Sequence, residues 1–198
     1  VAVIGRPNVG KSTFFNAIIG ERISIVDDTP GITRDRIYAD TEWLGQEITF
    51  IDTGGIEPDT SDNILAAMRN QAEIAIDTAD VIIFMCDLKT GLLPADYEIA
   101  TMLRKSDKPI ILVVNKSDNP ANLPPEIYEF YQLGLGDFIP ISASHRLGFT
   151  EVLDRVLAEL PEQTTVEQDE QRIAVAVIGK PNVGKSSLIN YFLQEERT

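Results

Sequence analysis

The chain has 198 residues, 43% of them hydrophobic, and a formal net charge of −14. A length near 200 allows one full domain and little more, and the apolar fraction is enough for a packed core, so disorder of most of the chain is excluded. The negative charge repels a polyanion, and we therefore expect no direct binding of nucleic acid by this segment alone.

The apolar runs are too short for a membrane helix. The longest, Val81–Cys86, falls well below the ~18–20 residues that such a helix needs, and it suits a buried strand. The single cysteine, Cys86, cannot form an internal disulfide, which favours a reducing compartment. We therefore expect a cytoplasmic protein without a membrane partner.

Strand-like and helical patterns alternate along the first 160 residues. The pattern predicts six strands, at Val1–Ile4, Ile37–Trp43, Ile48–Ile51, Val81–Cys86, Ile110–Val114 and Phe138–Ile141. It predicts five helices, at Ser12–Ile19, Asn63–Asp77, Ala95–Lys105, Pro124–Leu133 and Phe149–Leu160.

This alternation predicts an α/β fold. The turn residues Leu44-Gly45-Gln46 indicate a hairpin between the second and third strands. The sheet should therefore be six-stranded and mostly parallel, with one antiparallel strand and helices on both faces. Because ligands of such sheets bind at the carboxyl ends of the strands, the segments that follow the strands are the candidate sites.

A phosphate-binding loop follows the first predicted strand. The stretch matches the pattern G-x-x-x-x-G-K-S and consists of Gly5, Arg6, Pro7, Asn8, Val9, Gly10, Lys11 and Ser12. The two glycines let successive N–H groups turn toward one anion. Lys11 would contact the β- and γ-phosphates, and the Ser12 hydroxyl would hold Mg²⁺.

A second acidic motif follows the third predicted strand and consists of Asp52, Thr53, Gly54 and Gly55. The aspartate is placed to bind Mg²⁺ through water, and the Gly55 N–H to contact a γ-phosphate. The same four residues are also ordinary turn chemistry, so the functional interpretation rests on their position one hairpin after the phosphate loop.

Two further loops predict a guanine site. The fifth predicted strand leads into Asn115, Lys116, Ser117 and Asp118, and the sixth into Ser142 and Ala143. A carboxylate such as that of Asp118 can accept the N1–H and N2–H₂ donors of guanine, whereas adenine leaves it unpaired. We expect Asn115 to brace the loops, the Lys116 stem to cover the base and the Ala143 N–H to donate to guanine O6.

The phosphate-loop sequence occurs twice. Residues 1–16 and 175–190 are identical at 12 of 16 positions, and the second copy carries Gly179, Lys180, Pro181, Asn182, Val183, Gly184, Lys185 and Ser186. Residues 161–172 between them are acidic and nearly free of aliphatic side chains, which is typical of an exposed linker. We predict a first domain at 1–160, a linker at 161–172 and the beginning of a second domain at 173–198.

Together these motifs resemble those of translation-factor-type GTPases. The tandem copy with an acidic linker closely resembles the Der (EngA) family of bacterial ribosome-assembly GTPases, which have two consecutive GTPase domains and a small KH-like domain. The resemblance implies a switch that binds GTP or GDP with Mg²⁺ and acts on assembly intermediates of the large ribosomal subunit. Era-like and tRNA-modification GTPases share several loops, but the tandem copy fits neither.

The resemblance also implies roles for residues outside the motifs. Thr33, in the stretch similar to the family's first switch, would complete the Mg²⁺ shell beside Lys11 and Gly55. Ile56 occupies the position where a glutamine orients the attacking water in Ras-type GTPases, and an isoleucine cannot do so. Asn8 resembles the residue that binds K⁺ in potassium-activated members, although it could instead cap the turn of its own loop.

Two alternatives to a GTP hydrolase remain open at this stage. A nucleotide-gated binding module with negligible turnover is favoured by Ile56, whereas Asn8 favours the enzyme. An ATPase or a small-molecule kinase is disfavoured by Asp118 and by the lack of an insert for a substrate-binding lid.

Overall fold

Six strands form one sheet, and its carboxyl-terminal edge carries the loops singled out above. The computed structural model describes residues 1–19, 37–53, 64–119 and 122–161. The strands are β1 (Ala2–Gly5), β2 (Ile37–Trp43), β3 (Gln46–Asp52), β4 (Ile82–Asp87), β5 (Ile110–Asn115) and β6 (Phe138–Pro140). The α-helices are α1 (Lys11–Ile19), α2 (Ile64–Thr78), α3 (Pro94–Leu103) and α4 (Phe149–Glu159).

The sheet has the order β2-β3-β1-β4-β5-β6. Among the described strands, β2 and β3 pair antiparallel and every other neighbouring pair is parallel. The predicted α/β sheet is thereby confirmed. Its order also brings the ends of β1, β3, β4 and β5 side by side, although these strands are far apart in the sequence.

Each face of the sheet is covered by a separate apolar core, because alternate strand residues point to opposite faces. One core joins Val3, Ile83 and Val113 to Phe14 of α1 and Val152 of α4. The other joins the intervening strand residues to α2, α3 and residues 127–133. The predicted placement of helices on both faces is confirmed. None of the helices within the described ranges is long and apolar enough to cross a membrane.

The helix predicted at Pro124–Leu133 is present and is a 3₁₀-helix, which spans Pro125–Leu133. Its buried side chains, Ile127, Phe130 and Leu133, recur every three residues, which is the period of a 3₁₀-helix. Over nine residues the apolar pattern does not separate this period from that of an α-helix. A second 3₁₀-helix, Ala143–His145, was not predicted.

The hairpin between β2 and β3 is shorter than predicted. Trp43 pairs with Gln46, so the loop has two residues and Gln46 belongs to β3 rather than to the turn. Leu44 and Gly45 have φ angles of 50° and 80°, which is the geometry of a type I′ turn. Leu44 is 78% exposed and adopts a left-handed conformation that a leucine disfavours.

Replacing Leu44 should stabilise the protein. Asparagine tolerates the left-handed conformation, and Asn-Gly is the preferred type I′ pair, so Leu44→Asn should raise the free energy of unfolding by about 0.5–1 kcal/mol. Urea denaturation followed by circular dichroism measures the change. The control Leu44→Ala also removes the exposed leucine side chain, but alanine disfavours the left-handed conformation. An equal gain in stability in Leu44→Ala would refute the explanation.

Candidate functional site

The predicted site residues that the structure describes lie at the carboxyl ends of β1, β3 and β5, in the loops after β1, β3, β5 and β6, and at the start of α1, all at one edge of the sheet. Several others lie outside the described residues, namely Thr33, Gly54, Gly55, Ile56, Gly179, Lys180, Pro181, Asn182, Val183, Gly184, Lys185 and Ser186. Their assignments stay predictions, as do the domain boundaries.

The backbone of the loop between β1 and α1 has positive φ angles at Asn8 and Gly10, and no larger residue fits at Gly10. Gly10 has a φ of 99°, and a Cβ there would lie 2.3 Å from Nδ2 of Asn115. Asn8 is exposed and has a φ of 64°. The Lys11 ammonium donates to the carbonyl oxygens of Gly5 and Arg6 at 2.9 and 2.8 Å. The loop therefore curls around the position of its lysine side chain.

Two of the three residues expected to hold Mg²⁺ meet at this edge. The Ser12 hydroxyl lies 3.5 Å from Oδ2 of Asp52, at the start of α1 and the end of β3. Next to this pair, the Thr53 hydroxyl donates to the carbonyl oxygen of Val3 at 2.7 Å and ties the end of β3 to β1. A hydroxyl and a carboxylate oxygen are ligands that Mg²⁺ accepts, so this donor set fits that ion.

Asn115 connects three loops. Its Nδ2 donates to the carbonyl oxygen of Val9 at 2.7 Å, and its Oδ1 accepts the Ala143 N–H at 2.9 Å. The residue is 2% exposed, so both bonds are shielded from water. These two hydrogen bonds are the geometry that the predicted bracing of the loops requires. In this structure the Ala143 N–H, which we expected to donate to guanine O6, is directed to Asn115.

Asp87 holds the Lys116 side chain, a role that the sequence analysis missed. Its Oδ2 accepts Lys116 Nζ at 2.7 Å and the Thr90 hydroxyl at 2.8 Å, and its Oδ1 accepts the Lys89 N–H at 2.9 Å. Burial opposes ionisation, but these hydrogen bonds outweigh it and lower the pKa of Asp87 below its ordinary value. The predicted strand ended one residue earlier, at Cys86, which left Asp87 out of the candidates.

Asp118 also has a partner that the sequence did not indicate. Lys89 Nζ lies 2.8 Å from its Oδ2, and both side chains are more than half exposed. The hydrogen bond from Lys89 lowers the pKa of Asp118. The carboxylate is thus kept ionised and acceptor-only, which is the state that matches the two donors of guanine.

Arg6 turns away from the open side of its loop. Its guanidinium Nε donates to Oδ1 of Asp96 at 2.9 Å, and its Nη2 donates to the carbonyl oxygen of Gly91 at 2.9 Å. Asp96 is fully buried in the first turn of α3. Burial raises the pKa of its carboxyl, although the Leu93 N–H and Arg6 act in the opposite direction. No sequence motif pointed to Asp96.

A cavity of about 390 Å³ adjoins the loop after β5. It is lined by Leu88, Lys89, Lys116, Ser117, Asp118, Asn119, Asn122, Pro124 and Glu126. Ser117, a predicted binding residue, is 1% exposed, and its hydroxyl has no hydrogen-bond partner in the described structure. Ser142 is fully buried, and its hydroxyl lies 2.8 Å from Nδ1 of His145.

Comparison with known families agrees with this geometry. The sequence model of a family described as 50S ribosome-binding GTPase matches residues 1–116 and 174–198. The chain is also similar to proteins named GTPase Der from Lachnospira eligens and Clostridium perfringens, at 60% identity over 197 residues. The chain spans 45% of the length of each of these relatives. The resemblance inferred from the motifs is confirmed.

Solved structures with the same fold include Aquifex aeolicus Era bound to GDP·AlF₄⁻. That chain is 37% identical, with a TM-score of 0.63 over 81% of this chain and 56% of its own. The G domain of FeoB from Methanococcus jannaschii is 22% identical, with a TM-score of 0.56 over 80% of this chain and 94% of its own, and shows the fold alone. The phosphate-loop GTPase fold is therefore confirmed.

The substitution Asn115→Asp tests whether this residue holds the loops together. A carboxylate cannot donate to the Val9 carbonyl oxygen and leaves that buried acceptor unpaired, so the free energy of unfolding should fall by about 2–3 kcal/mol. Chemical denaturation measures the loss. Asn119→Asp makes the same change at an exposed position four residues away and should stay within about 0.5 kcal/mol of the wild type. Equal losses in the two variants would contradict the role of Asn115.

Proposed function

The chain belongs to the family described as 50S ribosome-binding GTPases, and from this membership we propose that it binds guanine nucleotide with Mg²⁺ and hydrolyses GTP as a conformational switch. The observation that carries the proposal is the double hydrogen bond of Asn115. It joins the loop suited to phosphate, through Val9, to the loops suited to guanine, through Ala143. One ligand that spans both loops, a guanine nucleotide, suits this arrangement.

The loop between β1 and α1 binds the phosphates in this proposal. Its N–H groups and the amino-terminal end of α1 offer positive charge to a phosphate. Lys11 rests on two carbonyl oxygens, and a phosphate oxygen would offer its ammonium a stronger, charged acceptor. Ser12 and Asp52 would hold Mg²⁺, which supplies charge neutralisation on the phosphates when bound. Thr33 and the Gly55 N–H are proposed to complete this site.

Asp118 recognises the base in this proposal. Its two carboxylate oxygens match the N1–H and N2–H₂ donors of guanine, and adenine would leave them unpaired at a cost. Because Lys89 is bonded to one of these oxygens, guanine must share or displace that contact. The Lys116 side chain, held by Asp87, is placed to cover the base. These contacts support a preference for guanine over adenine.

Hydrolysis needs a substitute for the missing glutamine. Ile56 cannot orient water, so transition-state charge must be stabilised elsewhere. We assign that role to K⁺ bound by the Asn8 side-chain oxygen, beside Lys11. Asn8 is exposed and has a φ of 64°. An exposed side-chain oxygen in this loop is accessible to a cation, which supports a ligand role for Asn8.

The proposed cellular role is assembly of the large ribosomal subunit in the cytoplasm. The description of the family supports it, as does the similarity to relatives named GTPase Der, whose full length exceeds this chain. The net charge of −14 repels ribosomal RNA, so the partner would be an assembly intermediate bound through the rest of the protein or through localised basic surface.

GTP turnover in potassium chloride against matched sodium chloride tests the enzyme. A cation that stabilises transition-state charge should raise turnover by about tenfold or more, with ATP inert. Asn8→Ala should lose most of this response, because it removes the oxygen ligand. A variant that kept the full response would remove Asn8 from the mechanism. Tight GTP binding without turnover in either salt would instead favour the nucleotide-gated binding module.

The substitution Asp118→Asn tests base recognition. Asparagine replaces one acceptor by a donor, which no longer matches guanine but matches xanthine, since xanthine has a carbonyl where guanine has its amino group. GDP affinity should fall about 100-fold or more and xanthosine diphosphate should bind better than in the wild type. Competition against a fluorescent nucleotide measures both affinities. Asp107→Asn, an exposed control, should change neither, and unchanged GDP affinity in Asp118→Asn would refute the assignment.

A further inference from the structure

Arg6 is a phosphate-loop residue whose side chain is buried inside the protein. It is 6% exposed, and its partner Asp96 is 0% exposed. The two residues are 90 positions apart in the sequence, and their contact joins the loop after β1 to the first turn of α3. The second copy of the motif has Lys180 at the position of Arg6. A cation at this position is therefore common to both copies.

The carboxylate of Asp96 is held at both oxygens. Oδ1 accepts Nε of Arg6 at 2.9 Å, and Oδ2 accepts the Leu93 N–H at the start of α3 at 2.9 Å. The Arg6 guanidinium is also held twice, because its Nη2 donates to the Gly91 carbonyl oxygen at 2.9 Å. Arg6 thus has a fixed direction relative to both the β4–α3 loop and α3.

The backbone of Arg6 takes part in holding the catalytic lysine. Its carbonyl oxygen accepts a hydrogen bond from Lys11 Nζ at 2.8 Å. The Arg6 side chain therefore anchors the residue, and the Arg6 main chain binds the Lys11 ammonium. On the opposite side of the loop, Asn115 holds the Val9 carbonyl oxygen. The loop is therefore anchored near both ends, and the exposed Asn8 lies between the two anchors.

Stability alone is a weak reason for such a pair. Removing two charges from water is costly, and a buried ion pair can often be replaced by uncharged side chains of similar volume without loss of stability. The ion pair fixes the direction of the Arg6 side chain, which an apolar pair does not do. A fixed side chain in turn fixes the Arg6 carbonyl group and the N–H groups that follow it. That direction matters for binding phosphate.

We propose that Arg6 and Asp96 form a positioning pair, in which Asp96 sets the phosphate loop for the β-phosphate without touching the nucleotide. The inference rests on the proposed function, because it names a further residue of the same site. It separates two parts of that site. The Arg6–Asp96 contact governs the phosphate, and Asp118 governs the base.

GDP and GMP, which differ only in the β-phosphate, provide the test on the full 198-residue chain. Asp96→Asn should lower GDP affinity by about tenfold or more while GMP affinity changes by less than about twofold, since small misplacements of a binding group are costly. Competition against a fluorescent guanine nucleotide measures both. Glu98→Gln is the matched control, because Glu98 lies in the same helix and pairs with the exposed Arg69 at 2.6 Å. It should leave both affinities unchanged.

A double variant separates positioning from stability. Arg6→Met together with Asp96→Asn removes both charges, leaves no unpaired charge buried, and keeps an amide oxygen for the Leu93 N–H. It should unfold at a higher temperature than Asp96→Asn, in which the Arg6 charge stays buried without its counter-charge, and it should still lose the preference for GDP over GMP. If Asp96→Asn fails to fold, the double variant decides the question alone.

The inference is overturned if a folded variant of this pair keeps the wild-type preference for GDP over GMP. Loss of GDP and GMP affinity by the same factor would also overturn it, since that result indicates a general effect on the fold. In both cases the proposed function stands, because the wild type still binds. A wild-type chain that binds neither nucleotide would overturn the proposed function and this inference with it.

Discussion

The arrangement of the site depends on one buried amide. Asn115 donates to Val9 and accepts from Ala143, so a single side chain sets the distance between three loops. Neither a carboxylate nor an apolar side chain can provide both bonds. Gly10 is constrained by the same contact, because any larger residue there would collide with the Asn115 amide. The sheet places these loops at one edge, and the amide then determines their spacing.

Near this amide, three charged residues of the predicted motifs each pair with a residue of opposite charge. Lys116 is bonded to Asp87, Asp118 to Lys89, and Arg6 to Asp96. All three pairs join a residue of the predicted motifs to residues 87–96, which run from the end of β4 to the first turn of α3 and for which the sequence showed no motif. That segment therefore acts as a scaffold for the site, and this explains why its acidic residues carry no recognisable pattern of their own. Their partners determine their role.

The sequence was sufficient to locate the strands and the α-helices, for a physical reason. Apolar runs of four to seven residues between turn residues allow few alternatives to a buried strand, and all six predicted strands agree with the structure to within about two residues. The sequence did not specify the type of the helix at Pro125–Leu133, because a short apolar pattern does not distinguish three residues per turn from 3.6. The hairpin turn was one residue too long, because the extent of β3 depends on its pairing with β2.

The amino-acid sequence by itself determined the family, the phosphate and guanine motifs and the strand ends that carry them, because these depend on local residue types and spacing. The tertiary structure alone decided which side chains meet. Asp87, Lys89 and Asp96 became part of the site only through contacts with residues 29 to 90 positions away. Such contacts leave no periodic pattern in the sequence, since each requires only one residue of the right charge at the place where the fold brings two loops together.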